Sequence, residues 1–324
     1  MKTRLILAAL LVGATVLVSG CGSGDLPAQS TLDAVNPQPA GAGEIVAPPQ
    51  AEGDNSCDSE ATLRPNAVQP RPGAMPPGSA MAAIVANGRL RVGVDQNTYL
   101  FGFRDPGTGQ LQGFDIDIAR EIAKDILGDP NKIELRSVTA AERISALHDK
   151  KVDLIVRTFS ATCERRREVD FSAVYYRSAQ RILAPRESGI STGADLAGKR
   201  VCVARGTTAA APLFALAKRP TVIGVTNWTD CLVALQQGQV DAVSGDDPIL
   251  FGLVEQDRNL QVVGEPIGTG AYAVGAPKGS DELVRFVNGV LERMRTDGTW
   301  QRIYTDKLGV LGPSPGQPVG RYVG

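Results

Sequence analysis

The sequence has little of what metal, redox or nucleic-acid chemistry requires. It contains one histidine, His148, and none of its five cysteines stands in a Cys-x-x-Cys pair, so no metal or redox site is expected. The formal net charge of -1 leaves no basic excess to displace counterions from phosphates, so nucleic acid is not an expected partner. With 43% apolar, 21% charged and 5% aromatic residues, the composition is typical of a water-soluble α/β protein rather than a membrane bundle. No cofactor is predicted.

The N-terminus has the features of a bacterial export signal. Lys2 and Arg4 precede the apolar run 5–18, which is short for a membrane-spanning helix and ends in Leu-Val-Ser-Gly-Cys at Cys21. This ending resembles a lipobox, so residues 1–20 are predicted to be a lipoprotein signal peptide and Cys21 to carry the lipid. The alternative is a plain secretory peptide with an incidental cysteine. Because more than one acyl chain gives stable tethering, the mature protein is expected on the outer face of the cell membrane.

Four further cysteines, Cys57, Cys163, Cys202 and Cys231, are an even number in an exported chain, which favours two disulfides. Three pairings are possible. Cys202 with Cys231 is favoured because both fall in the segment assigned below to one domain. That choice leaves Cys57 with Cys163.

The length and the local composition suggest two domains with appendages. A chain of 324 residues exceeds what one hydrophobic core usually serves. Residues 21–78 are rich in Pro, Gly and Ala without sustained periodicity and are predicted to be a flexible tether. Residues 313–324 contain three prolines and are predicted to be a poorly ordered tail.

Between these appendages, β-branched runs alternate with amphipathic helical patterns, which is typical of α/β folds built from βαβ units. The strongest helix pattern, at 114–127, has apolar residues at four-residue spacing. The predicted strands are 89–94, 132–138, 152–156, 200–203, 240–244 and 271–275, and the predicted helices are 114–127, 140–148, 229–237, 280–296 and 300–307.

Several motifs in this region resemble those of the polar amino-acid binding proteins of ABC transporters, over about 88–312. They are Gly-Phe-Asp-Ile-Asp-Ile-Ala at 113–119, Glu-Arg at 164–165 before Val-Asp-Phe-Ser at 169–172, Asp-Leu-Ala-Gly-Lys at 195–199 before Arg-Gly-Thr-Thr at 205–208, Asp-Ala-Val at 241–243 and Asp-Gly-Thr-Trp at 297–300. The sequences Cys-Glu-Arg at 163–165 and Arg-Tyr-Val at 321–323 are similar to those of lipoprotein members that bind glutamine.

The resemblance implies the bilobal periplasmic-binding-protein fold, with two α/β lobes of mixed sheets joined by a two-stranded hinge. Lobe 1 would comprise residues 79–180 and 272–312, and lobe 2 residues 181–271. The implied function is capture of a free polar amino acid for an ABC importer by a monomer without enzymatic activity.

A free amino acid needs partners for its carboxylate and its ammonium inside a closed cleft. The resemblance places Arg165 where the family's arginine grips the α-carboxylate, and Asp246 where an acid accepts the ammonium. Gly206, Thr207 and Thr208 follow a strand and precede a predicted helix, where backbone N–H groups attract an anion. Thr158 and Ser160, after the strand at 152–156, are expected to add a carbonyl and a hydroxyl.

The side-chain pocket is expected to contain Arg143, because the segment 139–144 resembles the Asn-Arg-Ile segment of glutamate and aspartate binders. Glu142 replaces the asparagine, and an unshielded acid there would oppose an acidic ligand. Further candidates for this pocket are Arg157 and Arg205, with Tyr99 as a cap. Glutamate or aspartate is therefore the predicted ligand, with glutamine or asparagine as the alternative.

Two other functions stay open at this point. One is an enzyme on the same scaffold, although His148 lies in a polar turn and no nucleophile with a base is evident. The other is a sensory subunit that reports amino-acid availability to a membrane receptor, because transport and sensing need the same ligand-gated closure.

Overall fold

The computed structural model describes residues 37–46 and 57–323. The predicted signal peptide, the predicted lipidation of Cys21 and the tether before residue 37 lie outside the described residues. In the described part, no helix is both long and apolar enough to cross a membrane.

The described chain alternates short strands and helices. The strands are β1 (Gly43–Glu44), β2 (Ala61–Leu63), β3 (Leu90–Val94), β4 (Asn97–Thr98), β5 (Gly102–Arg104), β6 (Leu111–Gln112), β7 (Ile133–Ser137), β8 (Leu154–Ile155), β9 (Val169–Pro185), β10 (Arg200–Ala204), β11 (Thr221–Val225), β12 (Ala242–Asp246), β13 (Leu260–Pro277) and β14 (Arg321–Val323). The helices are α1 (Ala80–Asn87), α2 (Phe114–Leu127), α3 (Arg143–His148), α4 (Cys163–Glu168), α5 (Ala211–Phe214), α6 (Trp228–Gln236), α7 (Asp247–Gln256), α8 (Asp281–Thr296) and α9 (Thr299–Leu308), with 3-10 turns at Gly193–Leu196 and Gly309–Leu311.

Two long central strands connect the two halves of the molecule. One mixed sheet runs in the order β1-β11-β10-β12-β9-β13-β8-β3-β7, and β9 and β13 pair antiparallel at its centre. The register of this pair shifts between Val263 and Gly268, where the chain passes from one half to the other. The predicted two-stranded hinge is therefore β9 with β13.

Each half has its own hydrophobic core. The first lobe packs around Phe114, Tyr175 and Trp300, and it comprises β2 to β8, α1 to α4, α8 and α9. The second lobe packs around Val203 and Leu250, and it comprises β10 to β12 and α5 to α7. We propose the divisions between the lobes at 180/181 and 271/272 given above from the sequence, because the two cores separate there; Leu63 and Met75, before residue 79, also belong to the first core.

Helix α2 shows why the periodic segments were predictable. Phe114, Ile118, Ile122 and Ile126 form one fully buried stripe against the first core. The helix ends where Gly128 adopts φ 77° and its N–H bonds to a carbonyl of the last turn. Its bounds are those predicted, and every other predicted strand and helix overlaps an observed one.

The segment predicted to be a flexible tether instead makes defined contacts with both lobes where its residues are described. β1 pairs antiparallel with β11 at the edge of the sheet, and the Nη2 of Arg205 donates to the carbonyl of Gly43 at 2.7 Å. On the first lobe, Thr62 is buried and donates to the carbonyl of Phe171 at 2.8 Å. Backbone pairing with β11 and the side-chain bond to Phe171 hold these residues, and such contacts leave no periodic side-chain pattern in the sequence.

The predicted C-terminal tail also differs from the structure. β14 pairs parallel with β2, and the hydroxyl of Tyr322 donates to Glu292 in α8 at 2.6 Å. The prolines before it exclude a helix but do not exclude an extended strand.

Both disulfides expected from the sequence are present. Cys202 and Cys231 join β10 to α6 with a Cα–Cα distance of 5.6 Å, and Cys57 and Cys163 join the N-terminal segment to α4 at 5.7 Å.

Candidate binding site

A pocket lies in the cleft between the two lobes, and both lobes contribute to it. The first lobe supplies Arg143, Thr158, Ser160 and Arg165, and the second supplies Thr207, Thr208, Ala209, Trp228, Asp246 and Ile249. Seven of these ten residues are sequence-predicted site residues, which the structure brings together.

Arg165 lies near the start of α4, where the side chain of Thr162 caps the helix by accepting from the Arg165 N–H. Its guanidinium donates to the carbonyl of Ser160 at 2.7 Å and to the carbonyl of Gly206 at 3.0 Å. The ring of Phe159 lies 5.1 Å from its Cζ. These contacts fix the guanidinium at the wall of the pocket.

Arg143, the first residue of α3, is 2% exposed. Its guanidinium makes four contacts, all to backbone carbonyls, which belong to Ala140, Arg157, Thr158 and Gly206. Burial, and then the nearby Arg165 and Arg157, lower the pKa of Arg143 well below its usual value. Among the described residues no carboxylate is bonded to this guanidinium, so a buried positive charge faces the cleft.

The carboxylate of Glu142 is engaged elsewhere and does not neutralise the charge of Arg143. Its carboxylate accepts from the N–H of Thr139 at 2.8 Å, and the residue is exposed. This backbone bond lowers the pKa of Glu142.

Asp246 ends β12 and precedes α7. Its Oδ2 accepts from the hydroxyl of Tyr272 at 2.6 Å, whereas its buried Oδ1 has no hydrogen-bond partner within the described residues. Burial raises the pKa of Asp246. A buried carboxylate oxygen without a donor is costly, so this atom is a site for a donor from a ligand. The next residue, Asp247, accepts from the N–H of Ala179 on the hinge strand, so it has a structural role.

Thr158 has a backbone φ of 38°, which is unusual for a residue with a Cβ. Asp115 holds it there, because Oδ2 accepts from the Thr158 N–H at 2.8 Å while Oδ1 accepts from the hydroxyl of Tyr175 at 2.7 Å. Burial raises the pKa of Asp115 to about 6. Asp115 stands in the Gly-Phe-Asp motif, but the motif alone did not predict this role.

The loop that carries Gly206, Thr207 and Thr208 is held by bonds to β10 and to the hinge strand β9. The hydroxyl of Thr207 donates to the carbonyl of Ala204 at 2.7 Å, and the hydroxyl of Thr208 accepts from Gln180 at 2.8 Å. Helix α5 begins only at Ala211 and has four residues. The expected attraction of an anion to a helix N-terminus therefore has no support here, and the loop contributes through its own polar groups.

Four predicted residues do not line the pocket. One is Gly206, whose carbonyl bonds to Arg143 and Arg165. Arg157 pairs with the buried Asp95 at 2.8 Å, and Arg205 donates to backbone carbonyls of residues 41 and 43. Tyr99 is 36% exposed and stacks edge to face on Phe103. Nearby partners satisfy these side chains, and no sequence motif marked those partners.

Trp228, Ala209 and Ile249 were missed. Trp228 is the first residue of α6, and the signal available in the sequence was the capping box of Asn227 and Asp230 around it. His148 lies outside the cleft, exposed, with Nε2 2.9 Å from the carbonyl of Glu168.

The fold and the cleft define a class of protein. The family of bacterial extracellular solute-binding proteins, family 3, matches residues 90–309, which is more than half of the chain. The chain therefore belongs to this family. It is an extracytoplasmic amino-acid-binding protein of ABC import and not an enzyme, in agreement with the resemblance seen in its motifs.

Particular relatives share much of this chain. The ABC transporter glutamine-binding protein GlnH of Bacillus subtilis is 37% identical over 225 residues, which is 69% of this chain and 82% of that protein. The glutamate-binding protein GluB of Corynebacterium glutamicum is 31% identical over 244 residues, covering 72% and 82%. The structure of a solute receptor for L-cysteine of Neisseria gonorrhoeae is similar with a TM-score of 0.69 and 32% identity, covering 72% of this chain and 97% of that one.

Proposed function

We propose that the protein binds a free acidic amino acid, L-glutamate or L-aspartate, in this cleft and delivers it to an ABC importer. The observation that carries the proposal is the charge of the lining. Arg143 and Arg165 supply two positive charges, and Asp246 supplies one negative charge. A ligand with a neutral side chain leaves the buried charge of Arg143 without an acid among the described residues, whereas a distal carboxylate balances it.

The two ends of the ligand backbone have partners on opposite lobes. Arg165 on the first lobe presents a planar guanidinium to the α-carboxylate. Asp246 on the second lobe presents its unpartnered Oδ1 to the ammonium. The hydroxyls of Thr158, Ser160 and Thr208 line the same pocket and complete the polar surroundings.

Arg143 faces the distal carboxylate. Its charge has no bonded acid in the described part of the chain, and Glu142 points outward. The GluB relative bears the name of a glutamate-binding protein, in agreement with this assignment.

Glutamine is the second candidate, and a specific observation favours it. Four backbone contacts already engage Arg143, so it has little capacity left for a bidentate grip on a carboxylate. A single remaining N–H suits an amide carbonyl. Trp228 also places an aromatic ring in the pocket, and the GlnH relative bears the name of a glutamine-binding protein.

Calorimetric titration with L-glutamate, L-aspartate, L-glutamine and L-asparagine decides between the two. We expect at least one acid to bind about tenfold tighter than either amide, or about 1.4 kcal/mol. Arg143→Met should weaken the acids more than the amides, and Arg120→Met, at a half-buried position on α2 that does not line the pocket, is the control. Glutamine binding tighter than both acids in the unaltered protein would reject the acidic assignment.

We also propose that Cys21 carries the lipid anchor and that the partner is a permease, with a membrane sensor as the alternative. The support is the lipobox-like sequence before Cys21 and the family to which the chain belongs. Labelling of growing cells with an alkyne fatty acid should mark the protein, and Cys21→Ala should abolish the label and release the protein from the membrane. Copurification of the cross-linked membrane partner identifies it as a transporter or a receptor.

A further inference from the structure

The two lobes touch through the residues that line the cleft. The carbonyl of Gly206, on the second lobe, accepts from Arg143 at 2.6 Å and from Arg165 at 3.0 Å, both on the first lobe. Another cross-lobe bond runs from the side-chain amide of Asn97 to that of Asn227 at 3.3 Å. The arginines of the pocket therefore also hold the lobes together.

At Gly206 this approach leaves no space for a side chain. A Cβ there would lie 2.6 Å from the Cα and 2.7 Å from the N of Ala141, and 2.9 Å from the carbonyl carbon of Ala140. These are backbone atoms of the other lobe, so they cannot rotate away. The φ of Gly206 is 74°, which adds a separate local cost for any other residue.

A second glycine meets the first lobe elsewhere. Gly252 lies within α7, and a Cβ there would be 3.0 Å from the carbonyl oxygen of Tyr99 and 3.5 Å from its Cβ. This contact is milder than that at Gly206. Glycine also has a lower helix propensity than alanine, so a glycine within α7 indicates a packing constraint at this position.

We propose that Gly206 and Gly252 set how closely the two lobes approach, and that this approach determines ligand affinity. The inference rests on the proposed function insofar as the cleft binds an amino acid. Arg165 and Asp246 lie on opposite lobes, so a wider cleft moves the partners of the ligand's two charges apart. It also breaks both bonds to the Gly206 carbonyl, which lowers the population of the binding-competent state.

The principal test is Gly206→Ala with Gly198→Ala as its control. Gly198, on the same lobe, has φ 72° and open space around its missing Cβ, so it reproduces the local strain without the clash. The probe is whichever of the four amino acids above binds the unaltered protein most tightly. We expect an affinity loss of at least about tenfold for Gly206→Ala and less than about twofold for Gly198→Ala, with similar small falls in melting temperature.

Gly252→Ala tests the same idea without backbone strain, and it keeps the test decisive if Gly206→Ala fails to fold. Alanine favours the helix, so the melting temperature should stay the same or rise while affinity falls by about threefold. Small-angle scattering with saturating ligand should give a larger radius of gyration for both cleft variants than for the unaltered protein.

Unaltered affinity and compaction in either cleft variant would overturn the inference, as would an equal affinity loss in Gly198→Ala. Should none of the four amino acids bind the unaltered protein, the proposed ligand class fails on its own. The inference is then judged on scattering from the ligand-free proteins, where identical curves for the unaltered protein and Gly206→Ala reject it.

Discussion

Asp246 carries a buried carboxylate with one satisfied and one unsatisfied oxygen. Replacing it by asparagine preserves the shape and the contact with Tyr272 but removes the charge that faces a ligand ammonium. Because the ligand ammonium then lacks its charged partner, binding of every amino acid should weaken by about 30- to 5,000-fold, or about 2 to 5 kcal/mol. Calorimetry measures this loss, and Asp257→Asn, outside the cleft on the same lobe, is the control. Tight binding by Asp246→Asn would show that the ammonium binds elsewhere.

Because Asp115 is buried, it makes the free energy of unfolding depend on pH. Its pKa is about 6 in the folded protein and 3.8 in an exposed chain, so the folded state holds the proton more tightly. Its contribution to stability is therefore fully present below about pH 4 and is lost as pH rises through 6, by about 3 kcal/mol in total.

Asp115→Asn should remove this loss, because an amide can accept from Thr158 and donate to the hydroxyl oxygen of Tyr175. Urea unfolding between pH 4 and 7 should show the variant gaining stability relative to the unaltered protein as pH rises, then levelling off above about pH 7. If the difference in stability between the two proteins stays constant across this pH range, groups other than Asp115 cause the pH dependence.

At the scale of elements, the sequence predicts what side-chain periodicity encodes. Helix α2 was predictable because four apolar residues recur on one face and a glycine ends the helix. β1 and β14 were not, because backbone bonds to β11 and to β2 hold them and proline and glycine surround them. Helix α4 was missed because it has six residues and a run of arginines instead of an apolar stripe.

The residues proposed for the site also divide into those that the sequence predicts and those that it does not. Arg165, Asp246 and Arg143 stand in motifs or next to them, so their place in the cleft could be anticipated. Arg157 could not be told from Arg143 by sequence, because the difference between them is that Asp95 lies within reach of one and not of the other. Contacts between residues distant in the chain decide such cases.

The C-terminal strand β14 should stabilise the first lobe without affecting ligand binding. Removing residues 313–324 deletes the pairing with β2 and the bond from Tyr322 to Glu292, and it also deletes the bond from Gln317 to the carbonyl of Leu291 in α8. We expect a loss of about 2 kcal/mol, or about 5 °C in melting temperature. Calorimetric scanning measures this, and ligand affinity should stay within about twofold. An unchanged melting temperature would mean that β14 contributes nothing to stability.

For the whole molecule, ligand binding and lobe stability are linked because the cleft uses both lobes. At about 100 times its dissociation constant a ligand that binds only the folded protein adds about 2.7 kcal/mol. The melting temperature should therefore rise by about 5 °C or more with the preferred amino acid, in one transition that includes both lobes. A thermal-shift screen of the twenty amino acids tests this, and D-glutamate is the stereochemical control. Separate transitions, with one insensitive to ligand, would place the site within one lobe.

The pairing of β1 with β11 has a consequence for any shortened form of the protein. A fragment limited to residues 90–309 would lack β1 and Cys57, so the outer edge of β11 would be left open and the thiol of Cys163 would be unpaired. Open edges recruit strands from neighbouring molecules, and free thiols form intermolecular disulfides. Such a fragment should self-associate as its concentration rises, in part reversibly by reducing agent, whereas the chain from residue 37 onward should remain monomeric in size-exclusion chromatography with light scattering.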